Sequence, residues 1–368
     1  MMNRIIIAID SFKGCLTSAE ANQAAAEGIA LWRQHTSRRP QMEVVQVAVS
    51  DGGEGWLHAF REAKGGQLVE VTVRDALMRP IVAQYLIQGD TAVIEMARTS
   101  GLTLLTPEER NPMLTTTYGT GQLVADAVRR GCRNMVVGLG GSATSDCGIG
   151  MLHAIIDAFA PGGTWDDVRA LNDIHFTIAT DVANPLCGSQ GAAHVFAPQK
   201  GASPHDVEVL DARSRRFADL SARHFGYDRQ NHPGAGAAGG LGYAFLQYLH
   251  AECRSGIDLL LDAIGFDALL ESADLVITGE GAADSQTLMG KLPFGILQHA
   301  RRRHVPVCLI AGRIADRQSL LAAGFAHVAS INPPTLSLEE AMRPDVSRRN
   351  IRTQVEKIVT KRHLLAKK

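Results

Sequence analysis

The stretch IIIAIDSFKG (residues 5–14) decides the reading of the fold. Five apolar residues, four of them isoleucine, run without interruption into Asp10 and Lys13. A strand with one wet face would alternate apolar and polar side chains. A run that is apolar on both faces fits a parallel strand covered by helices on either side. Runs of the same kind stand at residues 44–49, 135–138, 176–179, 275–278, 307–311 and 327–331. Between them lie stretches of helical character at 18–34, 55–63, 119–130, 148–158, 204–224, 240–252, 293–303, 316–323 and 346–363. Strand alternating with helix predicts an open α/β sheet. Residues 69–74, 81–87 and 91–95 read instead as antiparallel strands, with turns at Arg79-Pro80 and Gly89-Asp90.

The chain has 368 residues, more than one hydrophobic core of ordinary size accommodates. The pattern predicts a doubly wound domain made from both chain ends (1–77 plus 258–368), with a second α/β domain of mixed sheet (78–257) inserted between them. Thirty-seven basic against 38 acidic residues leave a net charge of −1, so there is no overall field to attract nucleic acid. The basic tail, Lys357, Lys361, Arg362, Lys367 and Lys368, reads as a solvated helix end. Six scattered cysteines without any C-x-x-C point away from disulfides and zinc, and towards a reducing cytoplasm. The apolar run after Arg4 is too short for a signal segment, and no run of membrane-spanning length follows. A soluble, cytoplasmic protein is expected, as a monomer or homodimer.

Glycine is in excess, 36 residues, and it clusters where ligands bind in open α/β sheets, at the carboxyl ends of strands. IIIAIDSFKG leaves Asp10, Ser11 and Lys13 past the first strand. VAVSDGGEG (47–55) sets Asp51 and Glu54 around two glycines, a pattern that suits an anion on backbone amides and a cation on carboxylates. NMVVGLGGSATSDCGIG (134–150) is the strongest local signal. Gly138, Gly140 and Ala143 match the dinucleotide fingerprint G-x-G-x-x-A, but no second strand follows in time to deliver a ribose-binding acid. Gly141, Ser142, Thr144, Ser145 and Asp146 suit a triphosphate with its magnesium better. FTIATDVANPLCG (176–188) leaves Asp181 at a strand end as a base or metal ligand, and Asn184 before the helix-stopping Pro185. APQKGA (197–202) presents Lys200. PGAGAAGGLG (233–242) is too glycine-rich for a helix start and implies close backbone approach, to a ligand or to the other domain. LVITGEGAADSQTLMGKLPFG (275–295) carries Gly279, Glu280, Gly281, Asp284, Gln286 and Lys291. No Walker A, G-x-S-x-G, H-E-x-x-H or kinase H-R-D motif occurs.

Taken in order, DSFKG, DGGEG, GLGGSATSD, TDVANPLCG, FAPQKGA, PGAGAAGGLG and ITGEG with the following D, SQT and GK resemble the bacterial two-domain glycerate kinase family (type 1). The resemblance runs from about residue 5 to 331. It implies one flavodoxin-like or Rossmann-like domain with one inserted domain, and ATP- and Mg²⁺-dependent phosphorylation of glycerate at an interdomain cleft. The product would be 2-phosphoglycerate, with 3-phosphoglycerate the alternative. Three departures stand out: Trp56 replaces a usual Thr, Ala282 and Ala283 follow Gly279-Glu280-Gly281 where an arginine is common, and the 151–181 stretch is shorter.

Phosphoryl transfer asks the protein for positioning and charge neutralisation. On that footing Asp181 is the expected base with Asp10 second, and Lys13 and Lys291 are catalytic cations. Gly140, Gly141, Ser142, Thr144, Gly279, Gly281 and Lys200 would bind the nucleotide. Ser11, Asn184, Asp284 and Gln286 would bind glycerate, and Asp51, Glu54 and Glu280 would hold Mg²⁺. Rival readings are an NAD-dependent hydroxy-acid dehydrogenase using Gly138–Ala143, a GHMP-type kinase whose loop GLGGSA loosely echoes, and a non-catalytic nucleotide or organic-acid sensor.

Overall fold

The computed structural model describes residues 4–12, 14–36, 42–50 and 55–365. Its strands, in chain order, are β1 (Arg4–Ile9), β2 (Glu43–Gln46), β3 (Gln67–Arg74), β4 (Pro80–Gln88), β5 (Thr91–Glu95), β6 (Asn134–Gly138), β7 (His175–Ala179), β8 (Glu252–Arg254), β9 (Leu275–Ala283), β10 (Val307–Ile314) and β11 (His327–Ser330). The chain divides into two compact units, residues 1–51 with 257–368, and residues 52–256.

In the first unit the sheet order is β2-β1-β9-β10-β11 and every pairing is parallel. Renumbered within the unit this is 2-1-3-4-5, the flavodoxin-like order of a doubly wound sheet. Ile5 to Ile9 are all fully buried, as expected for a central strand covered on both faces. Ile5, Ile7 and Ile9 pack with Ala21, Ala25 and Ile29 of the helix Ser18–His35 and with Ile351 and Val355 of the helix Pro344–Leu365. Burying each isoleucine contributes about 1.5–3 kcal/mol. The first of these helices starts at a complete capping box: Glu20 N–H donates to Thr17 Oγ1 (3.2 Å) and Thr17 N–H to Glu20 Oε2 (2.9 Å).

The second unit holds a six-stranded mixed sheet, β3-β4-β5-β6-β7-β8. β3, β4 and β5 form an antiparallel meander, and β5 through β8 run parallel. Its core gathers Ile94, Met135, Val137, Ile178 and Phe176 with Leu123, Met151 and Phe245 from covering helices. Since β3 pairs with β4 over its whole length, residues 67–74 pack in this sheet and not with the first domain as the sequence boundary at 77 implies.

Several elements differ from expectation. The strand read at 44–49 spans only Glu43–Gln46, and the helices Gly256–Ile264 and Phe266–Leu270 stand where none was read. The helix expected to reach residue 252 ends at Tyr248, and Glu252–Arg254 adds a short edge strand against β7. Three residues, two of them charged, carry too little pattern to be seen in sequence. β9 continues past residue 278 to Ala283 because β10 accompanies it as far as Ile314, so Gly279 and Gly281 are strand residues and not a free loop.

Candidate active site

In the 2-1-3-4-5 order the crevice lies outside the carboxyl ends of the strands where the strand order reverses, here β1 and β9. Asp10 follows β1 directly. Its N–H donates to Gly279 O (2.9 Å), and its Oδ1 accepts Ser11 N–H (2.7 Å). One residue along β9, Glu280 is 7% exposed. Thr287 Oγ1 donates to Glu280 Oε1 at 2.6 Å, and Lys291 Nζ stands 3.6 Å from Glu280 Oε2. Burial pushes the Glu280 carboxyl above its ordinary range, while Thr287 and Lys291 pull it back. Asp284 caps the following turn: its Oδ1 accepts Gln286 N–H (2.8 Å), and its N–H donates to Thr287 Oγ1 (3.0 Å). Gln286 is exposed, and Lys291 precedes the helix Leu292–Arg302, which carries Pro at its start.

In the second unit β6 delivers its chain into a loop, and the next helix begins only at Ile149. That separation removes the dinucleotide geometry, in which the helix opens inside the glycine fingerprint. Gly141 has φ +75°, and Ser142 forms an isolated antiparallel bridge with Gly101. Leu102 N–H donates to Gly141 O (2.9 Å) and Ala143 N–H to Ser100 O (2.8 Å), so the arc is held on one side by residues after β5. Lys200, 2% exposed, holds it from beneath: Nζ donates to Ser142 Oγ (2.8 Å) and to Thr144 O (2.7 Å). Burial pulls the lysine down to about 7, and among the described residues the nearby Asp146 charge opposes it. The hydroxyls of Thr144 and Ser145 are buried and find no hydrogen-bond partner among the described residues.

Asp146, read from sequence as a carboxylate for the triphosphate and its metal, is spent on the fold. It accepts from Thr117 N–H (2.8 Å), Thr117 Oγ1 (2.9 Å), Gly148 N–H (3.1 Å) and Gly150 N–H (3.2 Å). The segment 233–242 makes a close backbone approach to this same loop. Ala238, Gly239 and Gly240 are all left-handed, and a Cβ on Gly239 would sit 2.0 Å from Thr144 O. After β7, Asp181 is exposed and its Oδ1 accepts Gly256 N–H (3.2 Å). Asn184 donates its side-chain amide to Gln190 O (2.8 Å).

The structure thus gathers Asp10, Ser11, Gly279, Glu280, Gly281, Asp284, Gln286 and Lys291 at one end of the first sheet, and Gly140, Gly141, Ser142, Thr144 and Lys200 around one loop of the second. Lys13, Asp51 and Glu54 lie outside the described residues. Among the described residues no three His, Cys, Asp or Glu side chains group to hold a metal ion. Sequence reasoning missed Thr287 and Thr117. The first was legible as the partner three residues after a capping Asp284. The second carried no local signal, because its partner is 29 residues away.

An α/β protein with a doubly wound sheet and a strapped, glycine-rich loop after a parallel strand belongs to the class that binds small anionic ligands at strand ends. Comparison narrows the class. The sequence profile of the glycerate kinase family matches residues 5–160 and 165–362. The chain is 41% identical over 359 residues to the glycerate kinase of Bacillus subtilis (strain 168), covering 92% of each chain. It is 37% identical over 361 residues to the glycerate 2-kinase of Escherichia coli (strain K12), covering 92% of this chain and 93% of the relative. A crystal structure described as that of a glycerate kinase 2 from Salmonella typhimurium LT2 superposes with a TM-score of 0.81 at 36% identity, over 100% of both chains. The chain belongs to the glycerate kinase family, and it is an enzyme, a kinase. No described helix is long and apolar enough to cross a membrane.

Proposed function

We propose that this protein is a glycerate kinase that uses ATP and Mg²⁺ to phosphorylate a hydroxyl of glycerate, giving 2-phosphoglycerate, with 3-phosphoglycerate the alternative product. The reading includes a cytoplasmic enzyme acting on a small molecule, as monomer or homodimer. The observation that carries it is the loop after β6: a buried lysine amine orders its backbone, and two buried hydroxyls are left for a ligand to satisfy. Orphaned buried hydroxyls are uncommon in folded proteins and call for an explanation. Phosphate oxygens are strong acceptors and suit them.

In this reading Gly140, Gly141, Ser142 and Thr144 cradle phosphate oxygens, and Gly279 and Gly281 bring β9 backbone close to the nucleotide. Lys200 acts through the loop it braces. Asp181 takes the proton of the attacking hydroxyl, with Asp10 the second choice, and Lys13 and Lys291 neutralise charge on the transferring group or the glycerate carboxylate. Ser11, Asn184, Asp284 and Gln286 orient glycerate. Asp10 and Glu280 are hard oxygen donors at adjacent strand ends, suited with Asp51 and Glu54 to Mg²⁺. When bound, that ion would screen the charge of the phosphates.

A coupled assay of ADP release with glycerate, run with and without Mg²⁺, tests the proposal, and NMR of the product assigns the phosphorylated hydroxyl. The expected result is Mg²⁺-dependent ADP release in step with glycerate consumption. A nicotinamide absorbance change without ADP would support the dehydrogenase instead. Binding of nucleotide or glycerate without turnover would support the sensor.

A further inference from the structure

We propose that Lys200 is a positioning residue whose buried amine shapes the 142–145 arc for an anion and takes up a proton when that anion arrives. The inference rests on the nucleotide reading of the loop and deepens it. Lys200 is among the largest fully enclosed side chains of the protein, yet both atoms it bonds, Ser142 Oγ and Thr144 O, are neutral. Among the described residues the charge that acts on the amine is that of Asp146, and it does not offset burial. An enclosed ammonium without a counter-charge is costly, and the amine relieves that cost by giving up its proton.

The charged groups on the packed elements do not change this. Asp146, on the loop itself, already accepts from Thr116, Thr117, Gly148 and Gly150. Arg110 presents its backbone beneath Gly201, the residue after the lysine. His194, on the neighbouring helix Ala192–Phe196, faces Glu208 at 3.3 Å and Asp211 at 3.9 Å. With the lysine lowered to about 7, an anion seated on the arc would add the missing negative charge and raise it again. Binding above neutrality then draws a proton from solvent, and affinity falls as pH rises.

The test is titration calorimetry of the full chain with ADP and, separately, with sulfate. Both are run at about pH 8, where neither ligand titrates, in buffers of different ionisation enthalpy. The expected result is uptake of roughly half to one proton per anion bound. Lys200→Met should bind roughly ten- to a hundredfold more weakly, the scale of lost hydrogen bonds to a charged group, and without proton uptake. Lys200→Arg, which stays charged at every accessible pH, should bind without uptake even where affinity is retained. Binding of either anion to the wild type with no proton exchanged overturns the inference, as does unchanged uptake in Lys200→Met. Proton-linked sulfate binding without any ADP binding would keep the lysine's role and remove the nucleotide. Thermal unfolding of each variant separates a misfolded chain from a weak binder, and absence of proton uptake in the wild type overturns the inference even if both variants misfold.

Discussion

Gly239→Ala should be far more damaging than an alanine at another left-handed glycine. Gly239 has φ +66°, and an added Cβ would meet Thr144 O at 2.0 Å and Ser145 Cα at 2.6 Å. Gly226, which ends the helix Pro204–Phe225, has φ +76° and nothing within 4 Å of the same position. Both substitutions force alanine into the left-handed region, at about 1–2 kcal/mol. Both also recover about 0.4–1 kcal/mol by restricting the unfolded chain. Only Gly239→Ala adds the steric term, and its neighbours are backbone atoms that no rotamer change can move. Overpacking of that kind costs roughly 1–3 kcal/mol. Gly226→Ala should therefore lose about 0.5–1 kcal/mol and Gly239→Ala about 2–4 kcal/mol. Urea unfolding monitored by circular dichroism, with slopes compared to confirm a common unfolded state, reads the difference. Equal losses at the two positions would refute the argument that the segment is glycine-rich in order to press on the 144–145 backbone.

Further outcomes are expected. Trp56 is fully buried, donates Nε1–H to Gly256 O (3.2 Å) and packs edge-on to Phe60; Trp56→Ala should lose about 3–5 kcal/mol by denaturant unfolding. His299 Nδ1 lies 2.7 Å from Asp267 and Nε2 3.5 Å from Asp258, and hydrogen bonding to these carboxylates raises the imidazole above its ordinary 6.5. The folded state thus favours the proton, so the stabilisation is complete below about 6.5 and fades as pH climbs past the raised value. The stability gap between wild type and His299→Gln should narrow correspondingly from pH 6 to pH 9, and a gap that widens would reverse the sign. Asp181→Asn should lower turnover by at least ~10² with the unfolding midpoint nearly unchanged; near-normal turnover would remove Asp181 as the base.

The strands were legible wherever burial on both faces suppressed alternation. Ile5–Ile9 reads from composition alone, because nothing but a covered strand tolerates so many consecutive isoleucines in a chain of ordinary polarity. Glu252–Arg254 does not, since its strand character comes entirely from the neighbouring β7. The extension of β9 through Gly281 was hidden for the same reason: glycine and alanine express no preference, and the partner strand decides. In the site, residue type announced candidates but not their occupation. Asp146 and Lys200 look equally available in sequence. Yet Asp146 is saturated by amides and two threonine hydroxyls, while Lys200 is enclosed with two neutral acceptors. That distinction depends on contacts 29 to 58 residues away, beyond the reach of any local pattern.

The neighbouring strands β1 and β9 are separated by the whole of the other unit in chain order. During synthesis β1 and β2 can therefore pair with each other, but the other edge of β1 lacks its partner until the last third of the polypeptide has been made. The middle unit is finished first and can fold while the ends wait, since domains generally fold as units during translation. Until β9 arrives, the isoleucine-rich strand has a bare hydrogen-bonding edge, which makes the nascent amino-terminal segment the part of this enzyme with the greatest call on chaperones.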